Sequence, residues 1–189
     1  MREPVARILG ISGSLRRDSY NTRLLAAAAR LLPGDVEFVR FRGLKAVPPF
    51  DEDDEDRGAP AAVDELRRSI GWADGILVAT PEYNSSVPGQ LKNAIDWASR
   101  PLATAALRNK NVAVVGASTG MFGAVWAQAE LRKALASAGA RVVDRELAVG
   151  LAEDQFTPDG ELVEPQLVTA LSEVVAALLD EVSITIALR

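Results

Sequence analysis

The sequence predicts an α/β fold in which a parallel β-sheet is covered by helices on both faces. Short apolar runs rich in β-branched residues alternate with helix-like stripes five times along the chain. Strict alternation of this kind gives parallel strands joined by right-handed crossovers. The third run, residues 75–79, is apolar on both faces, which is typical of a strand buried between two helical layers.

Five segments have the composition of β-strands. The first ends in a Ser/Gly cluster, and the second alternates apolar and polar residues. The predicted strands span residues 5–11, 36–41, 75–79 and 111–116, with a fifth lying within 141–149.

Helices are predicted between and after these strands. Apolar stripes at helical spacing mark the inward faces of the first, third and fourth helices: Leu24, Leu25, Ala28, Leu31 and Leu32; Leu91, Ala94, Ile95 and Ala98; Leu131, Ala134, Leu135 and Ala138. Residues 63–72 predict the second helix, and the last begins at about Pro165. At 189 residues, the pattern predicts one flavodoxin-like domain over 1–189, a three-layer sandwich with strand order 2-1-3-4-5.

The amino-acid composition excludes several kinds of catalytic and metal site. The chain is 48% apolar and 25% charged, without a signal-peptide pattern or an apolar run of membrane-spanning length, so we expect a cytoplasmic protein without a membrane partner. It has no cysteine and no histidine, which excludes thiolate or histidine metal sites and Ser-His-Asp triads. A net charge of −5 argues against nucleic acid as a partner. The composition favours cofactor chemistry, with no metal and no catalytic side chain.

Three polar loops follow predicted strands and meet at one edge of the sheet, because ligands of such folds bind at the carboxyl ends of the strands. The first loop (residues 12–21) carries Ser14, Arg16, Ser19 and Asn21 before a helix start, where free N–H groups favour an anion. It is neither a Walker loop nor a Gly-x-Gly-x-x-Gly turn. The other interpretation is a polar turn with Asp18 or Ser19 as the helix N-cap.

The second loop (residues 80–93) follows the central strand and can lie along a planar ligand. Tyr83 can stack on a ring, Asn84 can bind ring edges or hydroxyls, and Pro81 and Pro88 stiffen the backbone. The third loop (residues 116–123) is a Ser/Thr/Gly run that can form a concave row of N–H groups.

Two motifs in these loops resemble one known family. The first loop contains the motif Gly13-Ser14-Leu15-Arg16-x-x-Ser19-x-Asn21. The second contains Pro81-Glu82-Tyr83-Asn84-x-x-x-Pro88-Gly89-x-Leu91-Lys92-Asn93-Ala94-Ile95-Asp96-Trp97. Both are similar to the motifs of the NADPH-dependent FMN reductases. That family includes bacterial quinone, chromate and azo-dye reductases of flavodoxin-like fold. The resemblance covers roughly residues 5–140.

The resemblance implies a function and a set of cofactor contacts. FMN would accept hydride from NADPH or NADH at N5 and pass it to a quinone or similar small acceptor in a ping-pong scheme. Homodimers or homotetramers are expected. The cofactor-binding residues would be Ser14, Arg16, Ser19 and Asn21 for the phosphate; Pro81, Glu82, Tyr83 and Asn84 for the ribityl chain and ring; and Ser118, Thr119 and Gly120 for the pyrimidine side.

Some features depart from the family pattern or carry other interpretations. Met121 and Ala124 stand where the family often has glycine, and Trp126 adds bulk, which bears on nicotinamide access. Arg100 is expected to reach toward a neighbouring subunit. The alternatives to a reductase are a flavodoxin-type electron carrier and a flavin-binding sensor. The chain lacks the strand-end aspartate of phospho-acceptor domains and the glycine fingerprint of Rossmann dehydrogenases.

Four further features are assigned structural roles. Trp72 and Trp97 are expected in the core or an interface. The acidic run 51–56 is predicted to be a solvated surface loop, because contiguous carboxylates cannot converge on one ion. The apolar tail 182–188 either extends the last helix or packs against a partner chain.

Overall fold

A five-stranded parallel sheet forms the centre of the computed structural model, which describes residues 4–188. The strand order is β2-β1-β3-β4-β5, so the order predicted from the alternating pattern is confirmed. The strands are β1 (Ala6–Ser12), β2 (Val36–Phe41), β3 (Gly75–Thr80), β4 (Asn111–Ala117) and β5 (Arg141–Val149).

Helices cover both faces of the sheet, as the apolar central strands require. One core layer contains the apolar faces of α1 and α6, and the other contains those of α3, α4 and α5. The helices are α1 (Tyr20–Arg30), α2 (Glu52–Asp56), α3 (Ala61–Trp72), α4 (Gly89–Ala98), α5 (Val125–Ser137) and α6 (Pro165–Ala187). Within residues 4–188, no helix is both long and apolar enough to cross a membrane.

The register of the central strands brings the three loops to one edge of the sheet. Ser12 at the end of β1 pairs with Ala79, and Thr80 at the end of β3 pairs with Gly116. The first, second and third loops therefore leave the sheet side by side, as predicted.

The acidic run is the main correction to the predicted elements. Its residues form the short helix α2, because the Asp51 carboxylate accepts a hydrogen bond from the Asp53 N–H and acidic side chains are favourable in a first helical turn. Glu55 also pairs with Arg67 at 3.0 Å, and both side chains are largely buried. The expectation of a purely solvated loop is wrong, since this carboxylate joins α2 to α3.

Trp72, Trp97 and the apolar tail 182–188 were each given two alternative positions by the sequence. Trp97 is fully buried, and its indole N–H donates to the Pro48 carbonyl at 2.9 Å. Trp72 is half-buried with the Arg7 guanidinium 6.0 Å from its ring. The tail extends α6 as far as Ala187, and Val182 is fully buried against β3.

Candidate functional site

The first loop joins β1 to α1 and rests against the second loop. Gly13 donates its N–H to the Ala79 carbonyl at 2.8 Å, and a Cβ at Gly13 would lie 2.7 Å from Leu91 Cδ2. Glycine therefore lets the two loops approach closely without displacing the Leu91 side chain. The Ser14 hydroxyl accepts the Arg16 N–H at 3.3 Å, which folds the backbone back on itself, and the Arg16 guanidinium is exposed without a partner within residues 4–188.

Ser19 and Asn21 are buried at the start of α1. The Ser19 hydroxyl caps the helix by accepting the Thr22 N–H at 3.4 Å, as the N-cap interpretation of the first loop expects. The Asn21 amide bridges to the end of β4: it donates to the Ala117 carbonyl at 2.8 Å and accepts the Ala117 N–H at 2.9 Å. Three of the four predicted phosphate contacts, Ser14, Ser19 and Asn21, thus have structural hydrogen bonds of their own.

The second loop contains a tight hairpin at the predicted aromatic position. Tyr83 and Ser86 exchange backbone hydrogen bonds of 3.2 and 3.1 Å, and the two residues between them, Asn84 and Ser85, have φ values of 52° and 58°. This is the geometry of a type I′ turn, which favours asparagine at its first central position. The turn leaves Tyr83 51% exposed at the sheet edge, whereas Pro81 is buried.

Glu82 connects the second loop to α5. Its carboxylate Oε2 accepts the Ala127 N–H at 3.0 Å, in the first turn of the helix. The helix has Ala124 at its N-cap with no side-chain hydrogen bond, so Glu82 supplies the missing cap from another segment. The Ser86 hydroxyl also donates a hydrogen bond to the Glu130 carboxylate, which is a second contact between the second loop and α5.

The third loop is held by the segment that follows β5. The Ser118 N–H donates to the Val149 carbonyl at 3.0 Å, the Ala152 N–H donates to the Ser118 carbonyl at 3.0 Å, and the Leu151 N–H donates to the Gly120 carbonyl at 3.1 Å. The Ser118 side chain is half-buried, whereas Thr119 and Gly120 are exposed. This segment after β5 was not part of the sequence-based site.

The positions that depart from the family pattern lie in this loop and at the start of α5. Ala124 is buried with a φ of 65°, a left-handed conformation that costs an alanine about 1 kcal/mol relative to glycine. Met121 and Phe122 are 73% and 60% exposed, and the Phe122 ring contacts that of Trp126 edge-on at 5.1 Å. Met121 and Trp126 therefore add exposed apolar surface next to the site.

The loops present hydrogen-bond donors that suit a phosphorylated, carbonyl-bearing ligand. Within residues 4–188, the backbone N–H groups of 17–20 in the first loop and of 121–124 at the third have no hydrogen-bond partner. Consecutive free N–H groups at a helix start form anion sites. A cavity of about 340 Å³ lies between the first and second loops, lined by Arg16 and Tyr83 among others. The phosphate, hydroxyls and ring carbonyls of FMN match this donor set.

Comparison with known proteins decides the family. The model of the family described as NADPH-dependent FMN reductase matches residues 6–154. The chain belongs to the NADPH-dependent FMN reductase family. It is an oxidoreductase, with FMN as cofactor and NAD(P)H as electron donor.

Relatives and solved structures support this assignment. An NAD(P)H-dependent FMN reductase of Pseudomonas aeruginosa is 38% identical over 173 residues, covering 91% of this chain and 92% of that protein. A quinone reductase of Escherichia coli is 35% identical and covers 84% of this chain and 85% of its own length. The flavoenzyme NAD(P)H:(acceptor) oxidoreductase of Paracoccus denitrificans superposes with a TM-score of 0.86 at 34% identity, over 94% of this chain and 97% of that one.

Proposed function

We propose that this chain transfers hydride from NAD(P)H, through bound FMN, to a small acceptor such as a quinone. The observation that carries the proposal is the meeting of three donor-rich loops at the carboxyl edge of the sheet, beside the ring of Tyr83. When bound, FMN supplies a hydride acceptor and donor at N5. A chain without histidine or cysteine is suited to this role, because it needs only to bind, orient and shield the cofactor.

The first loop is proposed to hold the phosphate. The Arg16 guanidinium, which has no partner among the described residues, can form charge-assisted hydrogen bonds. The Ser14 and Ser19 hydroxyls can donate while their oxygens accept backbone N–H groups. Asn21 is buried and bonded to Ala117 through both amide atoms, so we assign it a positioning role. It fixes α1 against β4, and thereby fixes the N–H groups that face the phosphate.

The second and third loops are proposed to hold the ring and the ribityl chain. The exposed Tyr83 ring offers a stacking surface, and Asn84, in its left-handed turn, presents an exposed amide. Glu82 ties this hairpin to α5 by capping the helix, and the buried Pro81 anchors the chain before it. Ser118, Thr119 and Gly120 lie on the neighbouring strand end, where they can face the pyrimidine side of the ring.

Homodimers or homotetramers are proposed as the functional state. Exposed Met121, Phe122 and Trp126 form an apolar surface beside the site that a second copy would cover. Arg100 lines a groove of about 520 Å³ between α4 and α5, together with Glu130 and other charged residues. Multi-angle light scattering at micromolar concentration should give two or four times the 20.1 kDa chain mass. A cytoplasmic location stays a prediction from the sequence.

Quinones are the acceptor class that the relatives favour. The relatives in Escherichia coli and in a Burkholderia species are a quinone reductase and a 2-hydroxy-1,4-benzoquinone reductase, and the family resemblance adds chromate and azo compounds as candidates. Steady-state rates measured at several NADPH and benzoquinone concentrations test the ping-pong order. Parallel double-reciprocal lines are expected, whereas intersecting lines would show that both substrates bind together.

A further inference from the structure

A second cavity adjoins the first loop on its β2 side and is strongly basic. It has a volume of about 360 Å³ and is lined by five cationic side chains, by the Ser12, Ser14 and Thr22 hydroxyls and by no carboxylate among the described residues. We call it the basic cavity. Its cations are Arg16, Arg17, Arg40, Arg42 and Lys45.

The cationic side chains of the basic cavity form no stabilising contacts among the described residues. Within residues 4–188, none of the five side chains forms a hydrogen bond or an ion pair, whereas Arg67 and Arg132 elsewhere are each bonded to acidic and carbonyl partners. Like charges that converge without a counter-charge repel one another. On a chain of net charge −5, this arrangement indicates an anionic ligand.

The wall of the basic cavity is rigid. β2 pairs with β1 so that Arg40 lies opposite Gly10 and Phe41 opposite Ile11, which sets the end of β2 beside the first loop. The turn that follows carries Lys45 and is fixed by Gln90, whose side-chain amide donates to two carbonyls of the turn, both at 2.7 Å. The exposed cations therefore extend from an ordered base.

The number of cations exceeds what the FMN phosphate requires. A phosphate monoester carries about −1.5 to −2 charges, and Arg16 with the loop N–H groups is assigned to it. Arg17, Arg40, Arg42 and Lys45 are left over. A second phosphate close to the first accounts for them. NADPH brings such a group, because its 2′-phosphate is the one feature that distinguishes it from NADH, and arginine side chains recognise it elsewhere.

We propose that the basic cavity binds the 2′-phosphate of NADPH through Arg40, Arg42 and Lys45 and so sets the preference for NADPH over NADH. The inference rests on the proposed function, since it assigns the electron donor's adenosine end to a place on this chain. Guanidinium groups form bidentate hydrogen bonds to phosphate, and Lys45 adds a point charge.

The test uses the FMN-loaded protein and the exposed pair Arg42→Gln/Lys45→Gln. The expected result is a drop of about tenfold or more in the ratio of kcat/KM for NADPH over that for NADH, arising from a higher KM for NADPH. The matched control is Arg141→Gln at the opposite edge of the sheet, where the exposed Arg141 side chain has no partner within residues 4–188. It should leave the ratio at the wild-type value.

A binding measurement separates this inference from the proposed function. Isothermal titration calorimetry should show that wild-type holoprotein binds adenosine 2′,5′-bisphosphate more tightly than adenosine 5′-monophosphate, and that the double variant loses the difference. Equal affinities in the wild type, or an unchanged kcat/KM ratio in the variant, would overturn the inference. If neither nicotinamide nucleotide reduces the flavin, the proposed function fails, while the calorimetry still decides whether the cavity selects a 2′-phosphate.

Discussion

At the residue scale, the four polar side chains assigned to the FMN phosphate have different surroundings. Arg16 is exposed and unpaired within the described residues, so its guanidinium is available to a ligand. Asn21 is buried, and its amide is bonded to the Ala117 backbone on both sides. Arg16 should affect FMN affinity directly, and Asn21 should affect it through the position of the first loop.

Replacement of Arg16 by alanine should weaken FMN binding without changing apoprotein stability. A hydrogen bond to a charged group contributes about 1.5–3 kcal/mol, so the Kd for FMN should rise by about 10- to 100-fold. Fluorescence titration of FMN with apoprotein measures this change. The control is Arg68→Ala, which removes an exposed arginine of α3 whose side chain has no partner in the described part of the chain; it should bind FMN like the wild type. Equal affinities in the two variants would remove Arg16 from the phosphate site.

Replacement of Asn21 by alanine should destabilise the apoprotein and also weaken FMN binding. It leaves the buried Ala117 N–H and carbonyl unpaired, which should lower the free energy of unfolding by about 2–4 kcal/mol. Urea denaturation measures the loss. Asn93→Ala is a matched control, because Asn93, in α4, bridges Phe50 and Pro48 in the same two-bond manner and is not among the residues assigned to FMN. Both variants should lose stability, but a loss of FMN affinity in both would argue against a positioning role for Asn21.

At the element scale, Glu82 links the second loop to α5. Because Ala124 at the N-cap provides no side-chain hydrogen bond, the carboxylate of Glu82 is the side-chain partner of the Ala127 N–H. An anion at this end of a helix also interacts favourably with the helix dipole. Glu82 therefore joins the second loop to the helix that follows the third loop, beside the contact between Ser86 and Glu130.

Glu82→Ala should lower the free energy of unfolding by about 1 kcal/mol, the usual contribution of a helix cap. It should also weaken FMN binding, because the second and third loops lose their common anchor. Chemical denaturation and flavin titration report the two effects separately. Glu173→Ala on the exposed face of α6 provides the control and should change neither quantity. Unchanged flavin affinity in Glu82→Ala would limit this carboxylate to helix capping.

The elements themselves were largely predictable, whereas their cross-links were not. Apolar periodicity predicts α4 and β3, because burial between layers leaves a repeating pattern in the sequence. The bond from Glu82 joins residues 45 positions apart, and that from Asn21 joins residues 96 apart, so no local pattern encodes them. Helix α2 was missed because the charge of its acidic run suggested a solvated loop, while its pairing with Arg67 depends on the packing of α3.

At the scale of the whole molecule, strand order decides which loops form the site. The strand order reverses between β1 and β3, and the pairing of these two parallel strands places the first and second loops side by side. The adjacent strand β4 adds the third loop. The strict alternation of strands and helices in the sequence was enough to predict this arrangement. The basic cavity was not predicted, because its arginines come from β2 and from the first loop, which meet only through the pairing of β1 with β2.

FMN should stabilise the folded molecule more than riboflavin does. A ligand at about 100 times its Kd adds about 2.7 kcal/mol to the free energy of unfolding, and riboflavin lacks the phosphate assigned to the first loop. Differential scanning calorimetry of the apoprotein with each flavin at equal concentration measures the difference. A higher Tm with FMN is expected. Equal Tm values for the two flavins would contradict the assignment of the first loop to phosphate.

In the proposed reaction, this site takes electrons from NAD(P)H and passes them through FMN to a small acceptor. Anaerobic titration of the holoprotein with NADPH, followed in the visible spectrum, tests it most directly. One equivalent of NADPH per bound flavin should bleach the absorption, and one equivalent of benzoquinone should restore it. A holoprotein whose bound flavin stays oxidised with excess NADPH and with excess NADH would contradict the account.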